Sequence, residues 1–202
     1  MVLGLVGGGL AITFMRAIDA ATRYAPRLPL PAWGRPAVAG LLIGLLALGF
    51  PEIFGLGEHS IAKGLRAEHA MLLLLALIPV KMLATSVSIG FGFYGGVLGP
   101  ALFLGTMMGE AFGHGLGQLL GDDVSSASVY AVAGMGVVVS RVVGAPIATI
   151  LIVFELTSSY TLTTAAMIAI VVASVIRSDR FPASLFHYQL FARGLETGPV
   201  SY

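Results

Sequence analysis

Apolar positions along the chain come in long blocks, separated by short clusters of charge, glycine and proline. A bilayer core of about 30 Å is crossed by about 20 apolar helical residues, and the blocks meet that length unevenly. The first, Val2 to about Ala21, is long enough, and Arg16, Arg23, Arg27 and Arg35 stand at and beyond its end against the single acid Asp19. That excess of cations places the connection on the cytoplasmic side. Pro36 can start a second helix, because its missing amide is one of the four that every helix start leaves unpaired. Gly49-Phe50-Pro51 stops that helix after roughly 14 residues, since proline cannot continue it. The polar stretch from Glu52 to Glu68 carries Glu58, His59, Lys63 and Arg66 and reads as a solvent-exposed or interfacial connection. Met71 to about Val87 is apolar again, interrupted by Lys81.

The next stretch, Gly90-Phe91-Gly92-Phe93-Tyr94-Gly95-Gly96-Val97-Leu98-Gly99-Pro100, is glycine-rich and ends in proline within apolar surroundings. Each glycine costs a helix about 1 kcal/mol, so irregular backbone is expected here. A bilayer tolerates such backbone only where protein or a water-filled cavity surrounds it, which makes this stretch a predicted interior site. A helix begins near Pro100 and runs to about Leu120, where Gly121-Asp122-Asp123 ends it and the two acids favour the extracellular side. Ser125 and Ser126 can cap a helix reaching about Arg141. Gly144-Ala145-Pro146 then breaks the chain, Ile147 to about Leu156 is apolar but too short to cross alone, and Thr157-Ser158-Ser159-Tyr160-Thr161 makes a polar turn. Leu162 to about Ile176 is the last apolar block, with Arg177, Asp179 and Arg180 marking a second cytoplasmic boundary. Residues 1–180 thus form one all-α membrane unit of short, broken helices, and residues 181–202 an amphipathic, then polar, tail. Several such helices together are a transporter-like pattern.

Composition narrows the class. Hydrophobic residues make up 57% of the 202, charged residues only 10%, and mean hydropathy is +0.95. A soluble domain has about a quarter charged residues, so this chain cannot coat a water-facing surface. The formal net charge of +1 leaves no broad basic face for nucleic acid. Without cysteine there are no disulfides, thiolate metal sites or cysteine nucleophiles. The apolar start has no cationic n-region of a secretory signal, and it leads us to expect that the natural beginning of the membrane domain is missing.

Chemistry is best placed at the break before Pro100. A helix start leaves up to four amides without intrahelical partners and carries about half a positive charge, which suits an anion. No Ser, Thr, Asp or Asn stands beside this start to cap the amides, so the N–H groups of Val97 and Leu98 are candidate donors, with Gly96, Gly99 and Pro100 around them. The alternative is that Gly96 and Gly99 only permit close helix packing; these residues alone leave both open. Lys81, Glu110, Arg141 and Glu155 are ionisable residues in apolar runs. The first three read as groups near helix ends whose heads reach water or pair locally. Glu155 precedes a Thr/Ser-rich break whose amides it could accept. His59, His69, His114 and His187 lack metal-ligand spacing, and no Gly-x-Ser-x-Gly or phosphate loop occurs. An enzyme is not expected, nor any cofactor.

Two ordered segments are more specific. Gly95-Gly96-Val97-Leu98-Gly99-Pro100-Ala101-Leu102-Phe103-Leu104-Gly105 resembles the Gly-x-Phe-x-Pro signature and following helix of the CLC family of chloride channels and chloride/proton antiporters. Tyr130 to Gly136, Ala145-Pro146 and Ile150 to Thr157 resemble that family's later helices in the same order, and Pro51 to Gly57 the connection after an earlier one. The resemblance implies the second of two inverted halves, with short and re-entrant helices, in an all-α homodimer whose subunits each hold an anion pathway. Chloride in that family is held by backbone amides at helix starts and by serine and tyrosine hydroxyls.

Departures from the family pattern matter. Leu98 replaces the signature phenylalanine, which an amide contact tolerates. Phe186, within the segment Ser184 to Gly194 that resembles the last helix, stands where the family has a chloride-binding tyrosine; it keeps the aromatic wall and loses a donor worth about 1.5 to 3 kcal/mol. The first half's serine-bearing and gating-glutamate motifs are absent, so a missing or separately encoded N-terminal half is an expected partner. The helices around Ile147 to Leu156 and Leu162 to Ile176 would face a second subunit. With the sequence ending at Tyr202, the cytoplasmic nucleotide-binding pair that some members of that family carry is not expected. The expected function is chloride transport across a prokaryotic inner membrane, by conduction or proton exchange; the alternative is a truncated or split scaffold that transports nothing by itself.

Overall fold

In a computed structural model the described residues are 2–175, apart from 30, 32, 94 and 122–124. Eight α-helices follow one another, with no strand among the described residues. They are α1 (Val2–Tyr24), α2 (Gly34–Gly49), α3 (Glu58–Leu65), α4 (Met71–Gly90), α5 (Leu98–Leu120), α6 (Ala127–Val143), α7 (Pro146–Thr157) and α8 (Tyr160–Val175). Short 3-10 turns, Ala25–Arg27 and Pro51–Ile53, follow α1 and α2. Two stretches, Val2–Arg27 and Met71–Gly90, are long and apolar enough to cross a bilayer alone, whereas α2, α6, α7 and α8 are shorter apolar helices.

The breaks fall where glycine and proline place them. α4 ends in a Schellman cap: Gly92 adopts φ +101, the Phe93 amide donates to the Ser88 carbonyl at 3.0 Å and the Gly92 amide to Ile89 at 3.2 Å. This lets α4 run three residues beyond the expected Val87. Gly144, at φ +78, closes α6, and Pro146 at the first turn opens α7. Ser126 does precede α6, but its carbonyl rather than its side chain receives the Val129 amide, at 3.0 Å.

α5 and α6 form the centre, packed antiparallel along a stripe of small residues. A Cβ on Gly105 would lie 2.6 Å from the Met135 Cα, one on Gly109 would run into the Tyr130 carbonyl, and one on Gly113 would lie 2.6 Å from the Ala127 Cα. Small residues at four-residue spacing let two backbones approach in this way, as bilayer helices require. α1 packs across both, with Gly7 beside Val137 and Met108, and Phe14 and Ile18 buried. α8 lies on α6, where Gly136 accommodates Ile170.

The polar stretch 52–68 departs from the expected exposed connection. It contains α3, an eight-residue helix whose Ser60, Ile61 and Gly64 are buried against α5 while Glu58, His59 and Lys63 face outward. A hydropathy ruler cannot register so short an amphipathic helix, because its average is polar.

Candidate functional site: the start of helix α5

The chain between the Gly92 cap and α5 is non-helical up to Val97, as the glycines predict, and α5 begins at Leu98. Val97 is the cap residue and no side chain caps it. Leu98 and Gly99 fill the first two helical positions, and Pro100, the third, has no N–H to offer. The amides of Val97 and Leu98 therefore stand at the positive end of a 23-residue helix. Pro100 is buried, Val97 and Gly99 are half-buried, and Gly95 and Gly96 are exposed. Leu98 is 37% exposed. Among the described residues the site has a floor, and Leu98 and Gly96 stay exposed above it.

The two glycines behave differently. Gly99 is a packing position, because a Cβ there would lie 2.6 Å from Leu56 Cδ2. Gly96 has nothing within 4 Å of where a Cβ would stand among the described residues, so close packing within them does not explain it.

A clamp around residues 51–57 fixes this floor. Lys81 is 3% exposed and lies in the middle of α4 rather than near an end, which corrects the expectation that its head reaches water. Its Nζ donates to the carbonyls of Ile53 at 2.7 Å and Gly55 at 2.8 Å, and sits 5.0 Å from the centroid of the Phe103 ring. Those carbonyls belong to a loop that gives a membrane-buried ammonium the partners it needs. Gly57, at φ +76, lays its backbone on Phe103: a Cβ would lie 2.5 Å from the ring. Lys81 thus ties the loop that carries Leu56 to the first turns of α5.

Glu110 is also far from a helix end. It is fully buried on α5, accepts the backbone N–H of His69 at 2.9 Å, and has His69 Nδ1 at 2.8 Å from its second oxygen. The sequence reading passed over His69 because the two residues are 41 apart. An available signal was the four-residue spacing Thr106, Glu110, His114, Gln118, a polar ridge along one face of α5. No group of three or more acidic, histidine or cysteine side chains among the described residues is disposed to hold a metal.

Glu155 does not serve the turn between α7 and α8. The Ser158 amide donates to the Phe154 carbonyl at 2.8 Å and the Leu162 amide to Ser159 Oγ at 3.5 Å, while Glu155 is exposed. Arg141 lies in the last turn of α6, as expected. Phe186, and with it the tail 181–202, lies outside the described residues.

Comparison with known proteins identifies the family and the fold. Residues 1–178 match the family described as voltage-gated chloride channel. A ClcB-like protein of Ralstonia nicotianae is 35% identical over 174 residues, covering 86% of this chain and 40% of its own. The voltage-gated ClC-type chloride channel ClcB of Escherichia coli O81 is 34% identical over 146 residues, 72% of this chain and 35% of its own. This chain thus spans well under half the length of the relatives it matches. The crystal structure of a slow cyanobacterial Cl⁻/H⁺ antiporter superposes with a TM-score of 0.75 at 24% identity, covering 96% of this chain and 46% of that one. That likeness concerns the fold.

Proposed function

The chain belongs to the CLC family of voltage-gated chloride channels, and from that premise we propose that it supplies the second half of a transmembrane pathway for chloride or a similar small anion. Its role is that of a transporter component and not of an enzyme. The observation that carries the reading is the start of α5: uncapped amides at Val97 and Leu98, no steric reason for Gly96, and a floor fixed by Lys81 and Leu56. Anions bind such termini through amides and dipole together. The open side at Leu98 and Gly96 is where further residues, from a first half or another chain, would complete the enclosure.

Phe186 in this reading gives the site an aromatic wall without a hydroxyl. The exposed apolar residues Ile147, Leu151, Ile168 and Val171 on α7 and α8 suit a second copy of the chain, and the bacterial relatives suit an inner membrane.

Thermal unfolding of the purified chain in chloride, against gluconate at equal ionic strength, tests the reading. A ligand that binds only the folded state raises the melting temperature with its concentration. A chloride-specific rise supports the anion site. Equal melting in both salts, repeated with any first-half partner present, would leave a scaffold as the better description.

A further inference from the structure

We propose that Glu110 is an exchangeable proton site, with His114 as its relay to water and His69 as the residue that holds its carboxylate in place. The inference stands apart from the anion site, since it rests on a different part of α5.

The geometry assigns the three roles. Glu110 has no exposed surface, yet both of its oxygens are held by one residue: the His69 backbone N–H at 2.9 Å on Oε1 and Nδ1 at 2.8 Å from Oε2. Gly64 leaves room for the carboxylate, because a Cβ there would come within 3.1 Å of Oε2. The His69 ring is itself buried, at 4% exposure, and its Nε2 has no hydrogen-bond partner among the described residues. At 2.8 Å, Nδ1 and Oε2 share one buried hydrogen bond, which holds the carboxyl group in place.

His114 differs from His69 in its access to water. It follows Glu110 by one helical turn; its Nε2, buried and without a hydrogen-bond partner among the described residues, lies 3.7 Å from Oε1, while the side chain as a whole is 31% exposed, so the rest of the ring meets water. It lines an open pocket of about 390 Å³ together with Gly113, Gly117, Gln118 and Ser126. A proton taken from water in that pocket forms imidazolium beside the carboxylate. Transfer to Oε1 breaks the N–H bond, forms an O–H bond and leaves neutral His114 with neutral Glu110, so one proton moves and charge balances.

His69 and His114 are the titratable side chains found beside the carboxylate. Lys63 of α3, and Arg66 and Glu68 of the following loop, are exposed, with Arg66 and Glu68 4.0 Å apart. Lys81 is the one cation of α4 and is engaged by Ile53 and Gly55. α6 presents Tyr130 near this level, its ring edge-on to Phe112 at 5.8 Å. Of the two histidines at Glu110, His114 is the more exposed, so proton traffic is assigned to its side.

Infrared difference spectra of the full chain, recorded across acidification with wild type, Glu110→Gln and His114→Ala, test the assignment. The expected result is a protonated-carboxyl band absent from Glu110→Gln, whose appearance after a pH jump slows tenfold or more in His114→Ala. A carboxyl band that persists in Glu110→Gln, or an unchanged rate in His114→Ala, overturns it. Should Glu110→Gln not fold, ¹⁵N spectra of the four histidines in the wild-type chain decide: faster proton exchange with water at His114 than at His69 supports the roles, and the reverse order overturns them.

Discussion

Lys81 and Gly55 are joined across 26 residues of sequence by a 2.8 Å hydrogen bond from a buried ammonium to a loop carbonyl. The same Nζ holds Ile53 at 2.7 Å, so one side chain from mid-α4 fixes the loop that meets the start of α5. Replacing it with methionine keeps the length and leaves two carbonyls without their donor. Lys81→Met is expected to lower stability by about 1.5 to 3 kcal/mol, the scale of hydrogen bonds to a charged group. Melting in detergent checks it, and an unchanged midpoint would mean that water or a shifted loop takes the place of the ammonium.

Gly109 and Gly117 lie on the same helix and should respond oppositely to alanine. A Cβ on Gly109 runs into the Tyr130 carbonyl and stands 2.8 Å from the Ala131 Cα, with backbone on both counts. Gly109→Ala should cost about 1 to 3 kcal/mol through overpacking. Gly117 has nothing within 4 Å among the described residues, so Gly117→Ala should stabilise by about 0.4 to 1 kcal/mol, because alanine restricts the unfolded chain. Paired melting curves of the two variants settle the contrast.

Gly55 and Gly57 separate backbone strain from collision. Both have positive φ, +62 and +76, but only Gly57 has Phe103 against the missing Cβ. Gly55→Ala should cost about 1 kcal/mol for the left-handed backbone alone. Gly57→Ala should cost at least about 1 kcal/mol more, the least that overpacking usually demands. Equal losses would show that the Phe103 ring moves aside freely.

Leu98 should be replaceable without changing the response to chloride. Its amide stands at the α5 start while its side chain is 37% exposed, so Leu98→Ala should leave the chloride-dependent rise in melting temperature within about 0.5 kcal/mol of wild type, the usual range for a surface substitution. Loss of the response would assign the contact to the side chain and remove the amides from the proposal.

His69→Ala should be the most damaging change in the buried cluster. It leaves Glu110 with the backbone donor alone in a fully buried position, and losing a hydrogen bond to such a group costs about 1.5 to 3 kcal/mol. Chemical unfolding of the variant gives the figure, and a loss below the surface-mutation range would contradict the role given to the imidazole.

Local chemistry made much of this fold readable. Gly92, Gly144 and Pro146 end or begin helices where their backbone preferences dictate, and the uncapped start near Leu98 follows from the absence of a capping side chain. The misjudged features depend on partners remote in sequence. Lys81 and Glu110 looked like residues near helix ends because their loop and histidine partners lie 26 to 41 positions away. α3 escaped notice because its burial comes from the α5 surface rather than from its own hydropathy. Glu155 attracted attention by standing beside a polar turn, yet that turn satisfies itself through Ser159 and the Phe154 carbonyl.

The clamp of Lys81, the loop 53–57 and Leu56 against Gly99 also bears on how the proposed pathway would be completed. Every contact in it is made among residues of this chain, so the rim of the site takes its shape from local contacts. Whatever residues close the wall would then meet a preformed edge, and a substitution among them would leave that edge intact.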